Sequence, residues 1–182
     1  MKIFDQPFDE NFLQSPAPLL VRIRKLVFGE TKPSLFVRYT YYINTCIGLI
    51  FLGWHLLGGA SVFFRSVIFN QKRIQVDQLI SESSKQLGYT FEELIWALEV
   101  HHVVSSLIWI IILLTMVFFW RRNQNAIFYL LFLFLFYFLQ GIYFFGWNYI
   151  TKEMTTADWF MLVLFGILIV TDKIIPWVVE KD

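Results

Sequence analysis

Charge is what this sequence has least of. Of 182 residues only 16% are Asp, Glu, Lys or Arg, against 57% hydrophobic and 20% aromatic, too little polar surface to clothe a water-soluble domain of this size. An ordinary soluble enzyme is therefore excluded. Neither sign dominates, since 15 Lys and Arg face 14 Asp and Glu for a formal net charge of +1. Without a basic excess there is no footprint for nucleic-acid phosphates, and no direct nucleic-acid binding is expected. Cysteine is nearly absent. The single Cys46 lies inside an apolar run, which excludes a disulfide framework or a Cys-rich zinc cluster within one chain. GxSxG, the P-loop and the Gly-rich dinucleotide turn are also missing, so the chain reads as non-enzymatic.

What is present is length without charge. About 20 apolar residues in a helix match a hydrocarbon core of roughly 30 Å, and four stretches qualify, at about 39–64, 94–120, 126–147 and 159–179. The first carries no formal charge between Arg38 and Arg65 and opens on Tyr39, Tyr41 and Tyr42, suited to a headgroup-level aromatic belt. In the second, the uninterrupted part from Val103 to Trp120 is preceded by Glu99, His101 and His102, which are costly at membrane depth; the fourth is broken by Asp172-Lys173 and Pro176. The expected fold is all-α: a polytopic four-transmembrane-helix bundle with short interfacial amphipathic helices. Residues 1–33 form a cytoplasmic amino-terminal segment and 34–182 the transmembrane domain.

Cationic flanks set the orientation. Arg22, Arg24, Lys25, Lys32 and Arg38 precede the first span, Arg121-Arg122 joins the second to the third, and Lys173 and Lys181 lie at the far end. Both termini are thus expected in the cytoplasm of a bacterial inner membrane, with the connection from Arg65 to Tyr89 outside. No secretory leader is visible after Met1, so the first span is expected to act as its own insertion signal. Residues 18–27 alternate apolar side chains with Arg22, Arg24 and Lys25 and end near Gly29, which reads as an amphipathic helix touching the inner leaflet or the bundle mouth. Val76, Leu79, Ile80 and Leu87 recur at helical spacing in the outer connection. Gly88 breaks that helix. Thr90 with Glu93, and Thr155 with Asp158, have capping-box spacing.

Polar groups inside lipid need partners, so those sharing depth and face matter most. Along the first span Thr45, Gly48, Leu52, His55, Gly59 and Val62 follow a packing seam, in which Gly48 and Gly59 admit a close helix contact. On the second span Glu99, His102, Ser106 and Trp109 share a face, with His101 and Ser105 on an adjoining one. The third brings Gln140. His55, Glu99, His102 and Gln140 are expected to form one polar cluster in the outer half of the bundle. Three uses stay open: interhelical hydrogen bonding, the commonest role of such residues; axial ligation of haem b by His55 and His102; and a proton or ion path, or a metal site made by His55, His102 and Glu99. The first use needs no cofactor.

In layout, from the Arg22 to Lys25 basic segment through the four apolar runs, the chain resembles the membrane accessory proteins encoded beside RNA-targeting effectors in type VI-B CRISPR loci. The resemblance implies a modulator of antiviral defence acting at the inner membrane; the bundle itself is expected to be oligomeric and to work through protein interaction or membrane permeability. Its partners would be the bilayer, a second copy or another membrane protein. The resemblance assigns no functional residue. The alternative is a small haem-binding or redox subunit resembling four-helix cytochrome b proteins, for which only His55 and His102 match.

Overall fold

The computed structural model describes residues 19–21, 25, 29, 33, 35–65, 67, 70–121, 124–147 and 154–179, with the backbone alone at 70–72, 124 and 172–179. The described residues form helices and no strand: α1 (Leu35–Phe63), α2 (Asn70–Leu87), α3 (Phe91–Trp120), α4 (Gln124–Phe145) and α5 (Thr156–Val179). Arg22 and Arg24, like Arg122 and the side chains of Asp172 and Lys173, lie outside the described residues, whereas Lys25 is exposed.

Helix ends follow local chemistry. Gly88 takes φ +76°, a left-handed geometry that glycine adopts without a Cβ clash and that stops α2. Thr90 then starts α3 with a reciprocal box: its Oγ1 accepts from the Glu93 N–H at 3.3 Å, and the Glu93 carboxylate accepts from the Thr90 N–H at 2.9 Å. Thr155 and Asp158 repeat the device at α5, at 3.2 and 2.8 Å.

Three helices are long and apolar enough to cross a membrane, Leu35–Phe63, Phe91–Trp120 and Asn125–Phe145, while the apolar helix Thr156–Thr171 is shorter. Their outer faces carry Leu49, Ile50, Leu57, Leu107, Leu114, Phe132 and Phe160, all exposed. So much apolar surface would be costly in water and suits hydrocarbon. Cys46 is exposed on the same kind of surface.

Paired contacts give the topology. A Cβ on Gly48 would meet Leu113, whereas one on Gly59 would meet His102, so α1 and α3 run antiparallel. Tyr137 packs on Trp109 and Phe145 on His101, so α3 and α4 do likewise. Phe138 against Trp159 and Phe134 against Phe165 set α5 antiparallel to α4. Asn44 reaches the Phe165 carbonyl at 3.5 Å, closing the ring between α1 and α5. The result is an up-and-down bundle.

Its centre is Trp109, fully buried. The indole stacks on Phe51 of α1 at 4.9 Å and meets Tyr137 of α4 and Phe165 of α5 edge-on at 5.4 and 5.8 Å. One side chain thus ties four helices together. The α1 seam runs through Thr40, Asn44, Ile47, Gly48, Phe51, His55, Gly59 and Val62. It is displaced from the expected one at two points, because Asn44 and Phe51 turn inward while Thr45 and Leu52 flank the stripe half-buried. A stripe through 37, 44, 51 and 55 keeps the step that holds an antiparallel neighbour in register, and 45 and 52 lie one residue out of phase with it.

Candidate metal centre

Above the aromatic layer of Phe51, Trp109 and Phe165 the bundle interior turns polar. His55 comes from α1, about two turns from its carboxy-terminal end; His101 and His102 come from α3. Helix α3 lies between α1 and α4, so two successive residues on it, about 100° apart, reach inward from either flank. Their rings form a nearly equilateral triangle, with centroids 5.3 Å apart for His55 and His101 and 5.5 Å for each other pair. One nitrogen from each lies within 4.8 Å of the others.

His55 and His102 face each other through ring nitrogens. Their Nδ1 atoms are 3.3 Å apart. Two nitrogens bound to one tetrahedral ion at 2.0–2.1 Å would be separated by about 3.3–3.4 Å, and imidazole centroids around such an ion by about 5 Å. Two of the three histidines are held from behind as well. His55 Nε2 lies 3.0 Å from the Tyr137 hydroxyl, and His101 Nδ1 lies 3.3 and 3.0 Å from the Oε1 and Nε2 atoms of Gln140. Gln140 Nε2 donates to Ser105 Oγ at 2.6 Å. Metal-binding imidazoles characteristically anchor their second nitrogen on such a group, which fixes tautomer and ring orientation.

Glycine makes the room. A Cβ on Gly58 would lie 2.5 Å from His102 Cε1 and 2.8 Å from its Nε2, and one on Gly59 would lie 3.2 Å from His102 Cβ. The His102 ring therefore rests on bare α1 backbone.

The structure brings His55 and His102 together, and connects Gln140 to them through His101. Glu99 stands apart: it is half-buried on α3 and outside the histidine group. Gly48 and Gly59 both face α3 within the same chain. Helical spacing alone sets His101 on a neighbouring face and singles out neither Tyr137 nor Gly58. Tyr137 carried a signal, being one turn before Gln140 in a helix otherwise dense in Phe and Leu.

The triangle forms the floor of a cavity of about 420 Å³. Its walls are Phe51, Leu94, Leu98 and Phe145, helix α2 covers it with Leu79, Ile80 and Ser83, and Met154, Thr155 and Asp158 border it at the start of α5. Helix α5 begins at this level, so α2 provides part of the enclosure. On the opposite side Phe51, Trp109 and Phe165, all nearly or fully buried, close the bundle.

A flat macrocycle fits this geometry poorly. Axial nitrogens on opposite sides of an iron stand about 4 Å apart, twice the metal–nitrogen distance of roughly 2 Å. Here the two Nδ1 atoms are 3.3 Å apart, His101 and Tyr137 pack at 5.3 and 5.6 Å from His55, and Gly58 backs His102. No slot opens between the two rings.

No family model, curated protein or solved structure matches this chain.

Proposed function

We propose that the chain is a four-span protein of the cytoplasmic membrane, with both termini inside, that holds a first-row transition-metal ion on His55, His101 and His102 and acts by binding without covalent catalysis. The observation that carries this reading is the paired Nδ1 separation of 3.3 Å within a triangle of imidazoles, two of them anchored from behind. Hydrogen bonding accounts for His55 Nδ1 and Nε2, His102 Nδ1 and His101 Nδ1. A shared ion adds a reason for one nitrogen from each of the three rings to lie within 4.8 Å of the others. Neutral imidazole suits zinc, copper, iron and nickel, and a site without thiolate or carboxylate disfavours calcium and magnesium. The aromatic layer beneath the histidines favours one-sided binding over a through-path.

The fourth span is α5, whose backbone is helical to Val179, and the orientation follows the placement of Lys and Arg. The test is elemental analysis of the full chain, purified in detergent after growth in zinc, copper or iron. Stoichiometric metal in the wild type, reduced in His101→Ala, supports the reading. His55→Gln separates the alternatives, because an amide preserves hydrogen bonding and removes a good ligand. A wild type free of metal under every loading condition, in a well-folded preparation, overturns the reading and leaves polar interhelical packing.

A further inference from the structure

We infer that the cavity over the three histidines binds a medium- or long-chain carboxylate, its head on the metal and its chain along the apolar wall. This deepens the metal-centre reading and rests on it.

The first argument is coordination. Three imidazoles occupy three positions of a tetrahedral ion, and among the described residues no fourth His, Cys, Asp or Glu joins the group. Such a centre keeps one position for an exogenous ligand. The second argument is size and chemistry. A water takes up about 30 Å³ of liquid, so an ion with a bound water needs a small fraction of 420 Å³. The volume falls in the range of small-molecule sites, roughly 300–1,000 Å³. Phe51, Leu94, Leu98 and Phe145 give it an apolar wall, which would only hinder passage of a hydrated ion.

Charge then selects the head group. No Lys or Arg lines the cavity among the described residues, and Asp158 stands at its border. Among the described residues a divalent ion on three neutral imidazoles would be the one cationic feature of the lining, sufficient for a single negative charge. A phosphate or diphosphate would bring further charge with nothing to meet it, and the repulsion that Asp158 exerts on any anion would grow with that charge. A carboxylate needs no more than the metal. The rim gives the direction of the chain: Trp54 is 69% exposed and Leu79 65% exposed, so the lining leads from the buried His55 and His101 and the half-buried His102 to large apolar side chains on the bundle surface, where an amphiphile reaches it from the bilayer.

The experiment uses the full chain in dodecyl maltoside, loaded with Co²⁺, whose visible ligand-field bands report a change in the fourth ligand. Octanoate should perturb those bands at a concentration at least about tenfold below that needed for acetate, since each buried methylene adds to affinity. Octanol, which lacks the anionic head, should not reproduce the change. Leu79→Trp and, separately, Ser83→Trp narrow the cavity from α2, away from the helices that carry the histidines; both should keep the cobalt spectrum and lose the preference for octanoate over acetate. Equal potency of acetate and octanoate, a response to octanol alone, or an unchanged octanoate response in both Trp variants overturns the inference while the metal centre stands. Failure of the wild type to develop tetrahedral cobalt bands removes the metal centre itself, and the two failures are thereby distinguished.

Discussion

A Cβ at Gly58 would stand 2.5 Å from Cε1 of His102, so the imidazole lies directly against the backbone of the neighbouring helix. Atoms of a packed interior cannot absorb that overlap without moving the ring, and the nearest atoms belong to a rigid imidazole and not to a flexible alkyl tip. Gly58→Ala should therefore lower metal affinity by about tenfold or more, a loss typical of disturbed ligand orientation. Helical content should hold or rise, because Ala favours helix over Gly by roughly 1 kcal/mol. Gly53→Ala is the matched control, with nothing within 4 Å of the added methyl. Isothermal titration with zinc beside circular dichroism checks both; equal affinity in the two variants would show that His102 is not a ligand.

Tyr137→Phe removes the hydroxyl that sits 3.0 Å from His55 Nε2, and Gln140→Leu removes the amide that binds His101 and Ser105. Neither change takes away a ligand. Each is expected to weaken metal binding by about 10- to 100-fold through loss of imidazole orientation, with Tyr137→Phe leaving the fold nearly intact because the ring still packs on Trp109 and Phe51. Competition with a chromophoric chelator measures the affinities. A purely structural polar network predicts the reverse pattern, lowered thermal stability and no metal signal to lose.

Thr155 and Asp158 start α5 beside the cavity. Thr155→Ala removes one side of the capping box and should cost about 1 kcal/mol of stability. Thr155→Ser should restore it, since serine supplies the same oxygen. Thermal unfolding in a fixed detergent reads the difference, and an alanine variant as stable as wild type would show that the cap contributes nothing in the micelle.

Both ends of the chain are expected in the cytoplasm. Reporter fusions at Lys181 and Gln78 should give opposite compartments, cytoplasmic for the first and external for the second. A shared compartment would remove the fourth span from the account, because α5 is the element that returns the carboxy terminus to the inner side.

The bundle was legible where a single residue type or a simple period decides the structure. Gly88 and the Thr90 and Thr155 boxes mark helix ends at the positions where the structure has them, since a left-handed turn and a reciprocal cap need only local partners. The long helices followed from uninterrupted apolar length. The site was only partly legible. Helical spacing put His102 with Glu99, but burial depends on which neighbour each flank of α3 meets: α1 draws in His102, and α4 draws in His101. That choice of neighbours is a property of the packed bundle. For the same reason Tyr137 gained its meaning only from His55, 82 positions away in sequence. The expected resemblance to defence-associated accessory proteins rests on layout and assigns no residue, so the histidine site does not depend on it.

The most direct test of the central claim is X-ray absorption spectroscopy of the zinc-loaded full chain in detergent. The account predicts a first shell containing three imidazole nitrogens at about 2.0–2.1 Å with one further light-atom ligand, falling to two imidazoles in His101→Ala. A wild-type spectrum with fewer than two imidazoles, or one unchanged by His101→Ala, would contradict it.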